Sequence, residues 1–188
     1  SHLKVVQLLQ ILTLARPGEV RLGTWDEIKW DERQWHFSAK RMKMDRDHIV
    51  PLSRQAMGLL KQLHSMTGDC KHMFPKLEAK RTGFDDNKTL SENTARDAIR
   101  AMGYDCDLHG FRHMASTFLN SLEVEGEDGE YRSMFDPLWI EYALAHIDAN
   151  SMRRTYNAND YMKGRTRMLQ FYADQIVPKP TLTTVQTA

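Results

Sequence analysis

The stretch Leu108-His109-Gly110-Phe111-Arg112-His113-Met114-Ala115-Ser116-Thr117-Phe118-Leu119 decides how this chain reads. It opens as a helix start and continues as an apolar face, with His109 and Arg112 three residues apart and therefore on one side of the helix. That pairing suits a phosphate: arginine presents a planar fork of donors, and histidine can move a proton near neutral pH. The same spacing also describes a solvated helix end, so its meaning depends on what the rest of the chain sets around it.

Upstream, apolar residues at Leu3, Val5, Val6, Leu8, Leu9, Ile11, Leu12 and Leu14 predict a helix buried on most sides. It breaks at Ala15-Arg16-Pro17-Gly18-Glu19, where Pro17 suits the first turn of a second helix and Glu19 its positive end. Arg16 thus lies at a helix junction, and from local sequence alone it reads as an exposed arginine. Between Thr24 and Leu52 the pattern changes to three short strands, around Trp25 to Trp30, Trp35 to Phe37 and His48 to Val50. Asp31 to Gln34 forms the first turn and Lys40 to Asp47 a long basic second one. Ser53 can cap a helix running to Met66.

Downstream come an extended piece at Met73-Phe74-Pro75, a polar glycine-containing loop from Lys76 to Lys88, and a helix from Ser91 to Met102 closed by Gly103. The His109 helix is expected to end near Leu122. Glu123 to Glu130 is acidic with two glycines and reads as an exposed loop. Pro137 opens a helix reaching His146, a short helix should hold Met152 to Tyr156, and a last helix should run from about Asp160 to Ile176. The pattern as a whole predicts an α+β fold, mostly helical, with a small three-stranded antiparallel sheet near the N-terminus.

A length of 188 residues suffices for one domain with a real core. A formal net charge of +1 excludes a generic polycation, so any nucleic-acid surface must gather its basic groups on one face. Two cysteines, Cys70 and Cys106, with no signal peptide and no membrane-length apolar run, fit a reduced intracellular protein. Ser1-His2 enters a helical pattern without a cap and reads as a leftover of expression on a chain cut from something longer.

Taken in order, Arg16 with Glu19, Lys43 in the basic turn, His109 with Arg112, His146, and Tyr156 ten residues later resemble the tyrosine recombinases, above all integrases of temperate phages and genomic islands. The resemblance covers nearly the whole chain. It is carried by Leu14-Ala15-Arg16-Pro17-Gly18-Glu19-Val20, by Arg41-Met42-Lys43-Met44 with His48-Ile49-Val50-Pro51-Leu52-Ser53, by His109-Gly110-Phe111-Arg112-His113 with Ala115-Ser116-Thr117, by Leu144-Ala145-His146-Ile147-Asp148, and by Tyr156-Asn157. It implies a tyrosine-recombinase catalytic domain over residues 1–177 and a tail at 178–188 that is flexible or exchanged between subunits. The implied enzyme cuts and rejoins DNA through a 3′-phosphotyrosyl intermediate, integrating or excising a prophage or genomic island, with no metal, ATP or other cofactor. Implied partners are double-stranded DNA attachment sites, further copies in a homo-tetramer on paired sites, and DNA-binding domains N-terminal to this one in the same chain, with no membrane. The implied location is the bacterial cytoplasm, on the nucleoid when bound.

The resemblance also implies roles. Arg16 and Arg112 would hold the non-bridging phosphate oxygens, where a guanidinium fork outperforms a point charge. Lys43 would protonate the leaving 5′ oxygen, its proton loss eased by Lys40, Arg41 and Arg46 nearby. It is preferred over Lys40 and Arg41 because it precedes Pro51 by about the family's spacing. His109 would accept the tyrosine proton or bridge to the phosphate, His146 would hydrogen-bond the phosphate, and Glu19 would orient its neighbours. Tyr156 is the expected nucleophile, with Tyr161 the rival, otherwise a packing residue. Lys40, Arg41, Arg46, His113, Arg153 and Arg154 are expected DNA contacts, although helix packing is the simpler reading for His113 and a solvated face an equally simple one for Arg153 and Arg154. The loop from Glu123 to Phe135 departs from the family in length and acidity, and beside DNA it should face away or toward a protein. Three alternatives stand: a zinc set of Cys70, His72, Cys106 and His109, a catalytically silent DNA-binding or assembly domain, and a type IB topoisomerase-like enzyme.

Overall fold

A computed structural model describes residues 2–42, 46–77, 83–101, 103, 109–146 and 161–177. Helix α1 (His2–Thr13) runs through the middle of the molecule. It is apolar on nearly every side because it has neighbours on nearly every side: α3 (Arg54–Thr67), α4 (Glu92–Ala101), α5 (Gly110–Asn120) and α7 (Met162–Ile176) all pack on it. Even its polar residues Gln10 and Thr13 are buried, and the Thr13 hydroxyl donates back to the Leu9 carbonyl at 2.6 Å. Short α2 (Pro17–Arg21) follows directly.

Strands β1 (Ile28–Lys29), β2 (Gln34–Phe37) and β3 (His48–Pro51) form the expected antiparallel sheet in sequence order, with Trp35 opposite both Ile28 and Val50. The first strand is shorter than its β-rich composition suggests. Trp25–Glu27 winds into a 3-10 turn instead, because Glu27 reaches back to accept the Thr24 N–H at 3.2 Å. The Ser53 hydroxyl caps α3 by accepting from the Ala56 N–H at 3.2 Å.

Two segments expected as loops are hairpins. Part of the polar stretch after Pro75 pairs as β4 (Pro75–Leu77) and β5 (Phe84–Thr89), and the acidic stretch pairs as β6 (Glu123–Glu125) and β7 (Tyr131–Ser133). In the second hairpin every residue of both strands is exposed, so pairing there rests on the backbone ladder. The first hairpin is also tethered from outside, by Arg21 Nη1 donating to Thr89 Oγ1 at 3.0 Å and to the Leu90 carbonyl at 2.9 Å.

Helix α6 (Pro137–Ala143) starts at Asp136, whose carboxylate accepts the Leu138 N–H at 2.9 Å. Helix α7 meets α6 at Gly164, where a Cβ would lie only 2.4 Å from the Trp139 ring, so no other residue fits without a shift. Arg165, fully buried, donates to the Ile49 carbonyl at 2.9 Å and ties α7 to β3. The expected short helix around Met152 and the tail from Pro178 lie outside the described residues. Among the described residues no helix is long and apolar enough to cross a membrane.

Candidate functional site

The two arginines singled out by sequence meet where α1, α5 and α6 end or begin. Arg112 stands in the first turn of α5 and is only 2% exposed. Its Nη1 donates to the Leu14 carbonyl just past α1, and its Nη2 to the Leu144 carbonyl just past α6 at 2.6 Å. Both acceptors sit at helix C-termini, where the unsatisfied carbonyls and the helix dipole concentrate negative potential. Burial and the neighbouring Arg16 pull the Arg112 pKa down to about 10, against the pull of Glu19, so the group stays charged at neutral pH.

Each of these two helix ends turns through a left-handed residue that is not glycine: Leu14 at φ 56° and Ala145 at φ 49°. Such residues carry a steric cost that only surrounding structure can hold. The turns aim their carbonyls at the arginines. Arg16 Nη2 donates to the Ala145 carbonyl at 3.2 Å. The Glu19 carboxylate, buried in α2, takes the Arg16 main-chain N–H at 2.7 Å and its Nη1 at 2.9 Å. Glu19 therefore closes the start of α2 and fixes the Arg16 side chain at once.

His146 follows Ala145 on the exposed side of the junction, with Nε2 3.4 Å from Arg112 Nη2 and Nδ1 3.6 Å from a Glu141 carboxylate oxygen. Partial burial and then Arg112 lower its pKa, with Glu141 opposing, which favours the neutral imidazole. His109, at the entry to α5, is close enough to add a small lowering influence of its own. Beneath the junction lies His48 on β3, 1% exposed and stacked on Phe37 at 6.1 Å. Burial first, then Arg165, Arg112 and Arg16, hold its pKa down at about 3, against a hydrogen bond to the Ala143 carbonyl. Its Nδ1 has no partner among the described residues.

The structure thus brings Arg16, Glu19, Arg112, His146 and His109 to one place. Lys40, Arg46 and His113 are exposed, whereas Arg41 is turned inward onto Glu27 and the Glu19 carbonyl. Tyr161 heads α7 in a left-handed conformation and lays its ring edge-on to Tyr142 at 5.1 Å. Lys43, Tyr156, Arg153 and Arg154 lie outside the described residues. Sequence reading missed the carbonyls of Leu14, Leu144 and Ala145, for which no side-chain signal exists; it placed His48 as a sheet residue near the DNA face, and the structure keeps it on β3 but buries it. Among the described residues no three His, Cys or acidic side chains group as a metal ion would need, and Cys106 of the zinc alternative lies outside them.

A family model described as the phage integrase family matches residues 1–163. The prophage integrase IntA of Escherichia coli (strain K12) is 38% identical over 169 residues, covering 89% of this chain and 37% of its own length. The integrase of Enterobacteria phage P4 is 36% identical over 190 residues, covering 92% of this chain and 40% of its own. In fold, the chain is similar to an integrase from mycobacterium phage Brujita, with a TM-score of 0.61 at 14% identity, over 95% of this chain and 54% of that one. The chain spans about two fifths of the length of the curated relatives it matches.

Proposed function

The chain belongs to the phage integrase family, and from that premise we propose that it is the catalytic part of a site-specific DNA recombinase acting on paired double-stranded attachment sites. Tyr156 attacks a backbone phosphorus. The bond from its phenol oxygen to phosphorus forms, the bond to the 5′ oxygen breaks, and a 3′-phosphotyrosyl link remains. A 5′-hydroxyl from a second strand reverses the step. The bond energy is kept in the covalent link, so no nucleotide is consumed.

The observation that carries this reading is the junction of Arg16, Arg112 and His146. A phosphoryl transition state spreads negative charge over its oxygens, and catalysis is mostly positioning and electrostatics. Arg112 is fixed by two helix-end carbonyls, and Arg16 by Glu19 and Ala145, before any substrate arrives. Both guanidinium groups bind the non-bridging oxygens, and neutral His146 adds a hydrogen bond. His109 accepts the phenol proton, and Lys43 delivers one to the leaving 5′ oxygen. A free phenol has a pKa of about 10, so the attack depends on these neighbours. Lys40, Arg46, His113, Arg153 and Arg154 contact the DNA backbone. Domains upstream in a longer chain and three further copies complete the working assembly.

A nicked attachment-site duplex that traps the cut strand tests the reading with the full-length protein. Denaturing electrophoresis should show a covalent protein–DNA band that Tyr156→Phe abolishes and Tyr161→Phe leaves. Loss with Tyr161→Phe alone would keep the reaction and move the nucleophile. No band from the wild-type protein on its own site would favour a silent DNA-binding domain.

A further inference from the structure

Arg41 lies in the basic connection between β2 and β3, and its charge alone marks it as a DNA contact. The structure turns it the other way. Its Nη1 pairs with Glu27 Oε1, its Nη2 donates to the Glu19 main-chain carbonyl, and its guanidinium carbon sits 5.8 Å from the Phe37 ring centre. Glu27 is equally committed. Its other oxygen accepts from Trp35 Nε1 at 3.0 Å and from the Thr24 N–H at 3.2 Å. With side chains only 22% and 11% exposed, Arg41 and Glu27 form a shielded pair, so removing either partner matters more than at an open surface.

The geometry closes on Glu19. Its carbonyl holds Arg41, and its carboxylate holds Arg16. One residue of α2 therefore links a phosphate-binding arginine to the start of the connection on which Lys43 follows two residues later in sequence. We propose that Arg41 and Glu27 are a positioning pair, in which the Glu27–Arg41–Glu19 bridge sets the β2–β3 connection in register with Arg16. Arg41 acts on the reaction through the general acid carried by that connection, not by touching DNA. This rests on the recombinase reading above.

The test uses the full-length protein and two nicked substrates, one ordinary and one with sulfur in place of the bridging 5′ oxygen at the cut. A thiol ionises near pH 8.5, so the sulfur leaves as a thiolate without needing a proton. Variants Arg41→Met, Arg41→Lys, Glu27→Gln and Arg41→Met/Glu27→Gln are compared with wild type and with Lys43→Ala. Glu27→Gln retains an amide oxygen for Trp35 and Thr24, so it removes the ion pair without emptying the core. On ordinary DNA each single variant should cleave about 10- to 100-fold more slowly, and the double variant should be no slower than the worse single one. On the sulfur substrate that deficit should largely vanish, as it should for Lys43→Ala. The slope of log affinity against log salt should equal wild type.

A phosphate contact gives a different pattern: a salt slope smaller by about one, a tolerated Arg41→Lys, and a silent Glu27→Gln. That pattern overturns the proposal. So does an equal deficit on both substrates, which marks a merely structural pair, and so does rescue of Lys43→Ala without rescue of Arg41→Met. If the wild-type protein forms no covalent link with either substrate, the recombinase reading itself fails and takes the positioning role with it.

Discussion

Helix α5 carries two regions built on opposite principles at its two ends. At its N-terminus, Arg112 is buried and draws its partners from Leu14 and Leu144, each more than thirty residues away. At its C-terminus, the β6–β7 hairpin is exposed along both strands and bonded within itself, with Arg132 paired to Asp128 and Gly129 supplying the left-handed turn at φ 78°. The first region is defined by what the rest of the chain brings to it, the second by its own eleven residues. The charges divide in the same way. The hairpin sets five carboxylates against one guanidinium, while the junction gathers two arginines within reach of one buried glutamate. Eleven helical residues separate them by about 16 Å, roughly two Debye lengths in physiological salt, so the acidic end does little to the arginine end.

The comparison breaks most visibly at Arg112. Arg112→Ala leaves the Leu14 and Leu144 carbonyls buried without a donor, and a hydrogen bond to a charged group contributes about 1.5–3 kcal/mol. Urea unfolding should show a loss of about 3 kcal/mol or more, in addition to any loss of cleavage. Arg112→Lys keeps the charge but cannot span two carbonyls with a fork, so it should recover less than half of that stability.

His48 sharpens the same contrast by pH. Its pKa is about 6.5 in the unfolded chain and about 3 in the folded one. The folded state therefore resists protonation. Stability linked to His48 is complete above pH 6.5 and is lost as pH falls toward 3, at a slope approaching 1.4 kcal/mol per pH unit. Unfolding curves between pH 7 and 4.5 should show that slope in wild type and a shallower one in His48→Gln, with the exposed hairpin adding nothing to the difference.

The sequence made the local half of this molecule legible. Helix α1 could be read because a helix with neighbours on all sides is apolar on all sides. The starts of α2, α3 and α6 carry Pro17, Ser53 and Asp136-Pro137, signals that act within one turn. The junction was legible only as a set of residue types in order. Leu14 and Ala145 adopt left-handed turns without glycine, and Arg16 reads locally as an exposed arginine until Glu19 and Ala145 are seen to hold it. Arg41 misleads for the same reason: its partners lie 14 and 22 residues back, and its charge alone points outward. Trp25 shows the reverse failure, since a β-prone residue lost to a capping glutamate two positions on.

The smallest effect is expected at the hairpin, and it tests the contrast from the other side. Replacing Val124 to Arg132 by a short glycine-containing turn between Glu123 and Ser133 joins two residues that already face each other across the ladder. It removes no buried side chain: Val124 and Tyr131 are exposed, the latter at 64%, and the Asp128–Arg132 pair stands in solvent. Exposed ion pairs contribute little, and a shorter loop costs slightly less entropy to close. The shortened protein should therefore unfold within about 1 kcal/mol of wild type. Its DNA affinity should hold at 150 mM salt and rise as salt is lowered, because the Debye length then grows toward the distance that separates the carboxylates from the arginines. A loss of several kcal/mol would mean that the hairpin braces the C-terminal end of α5, and the two ends of that helix would no longer be independent.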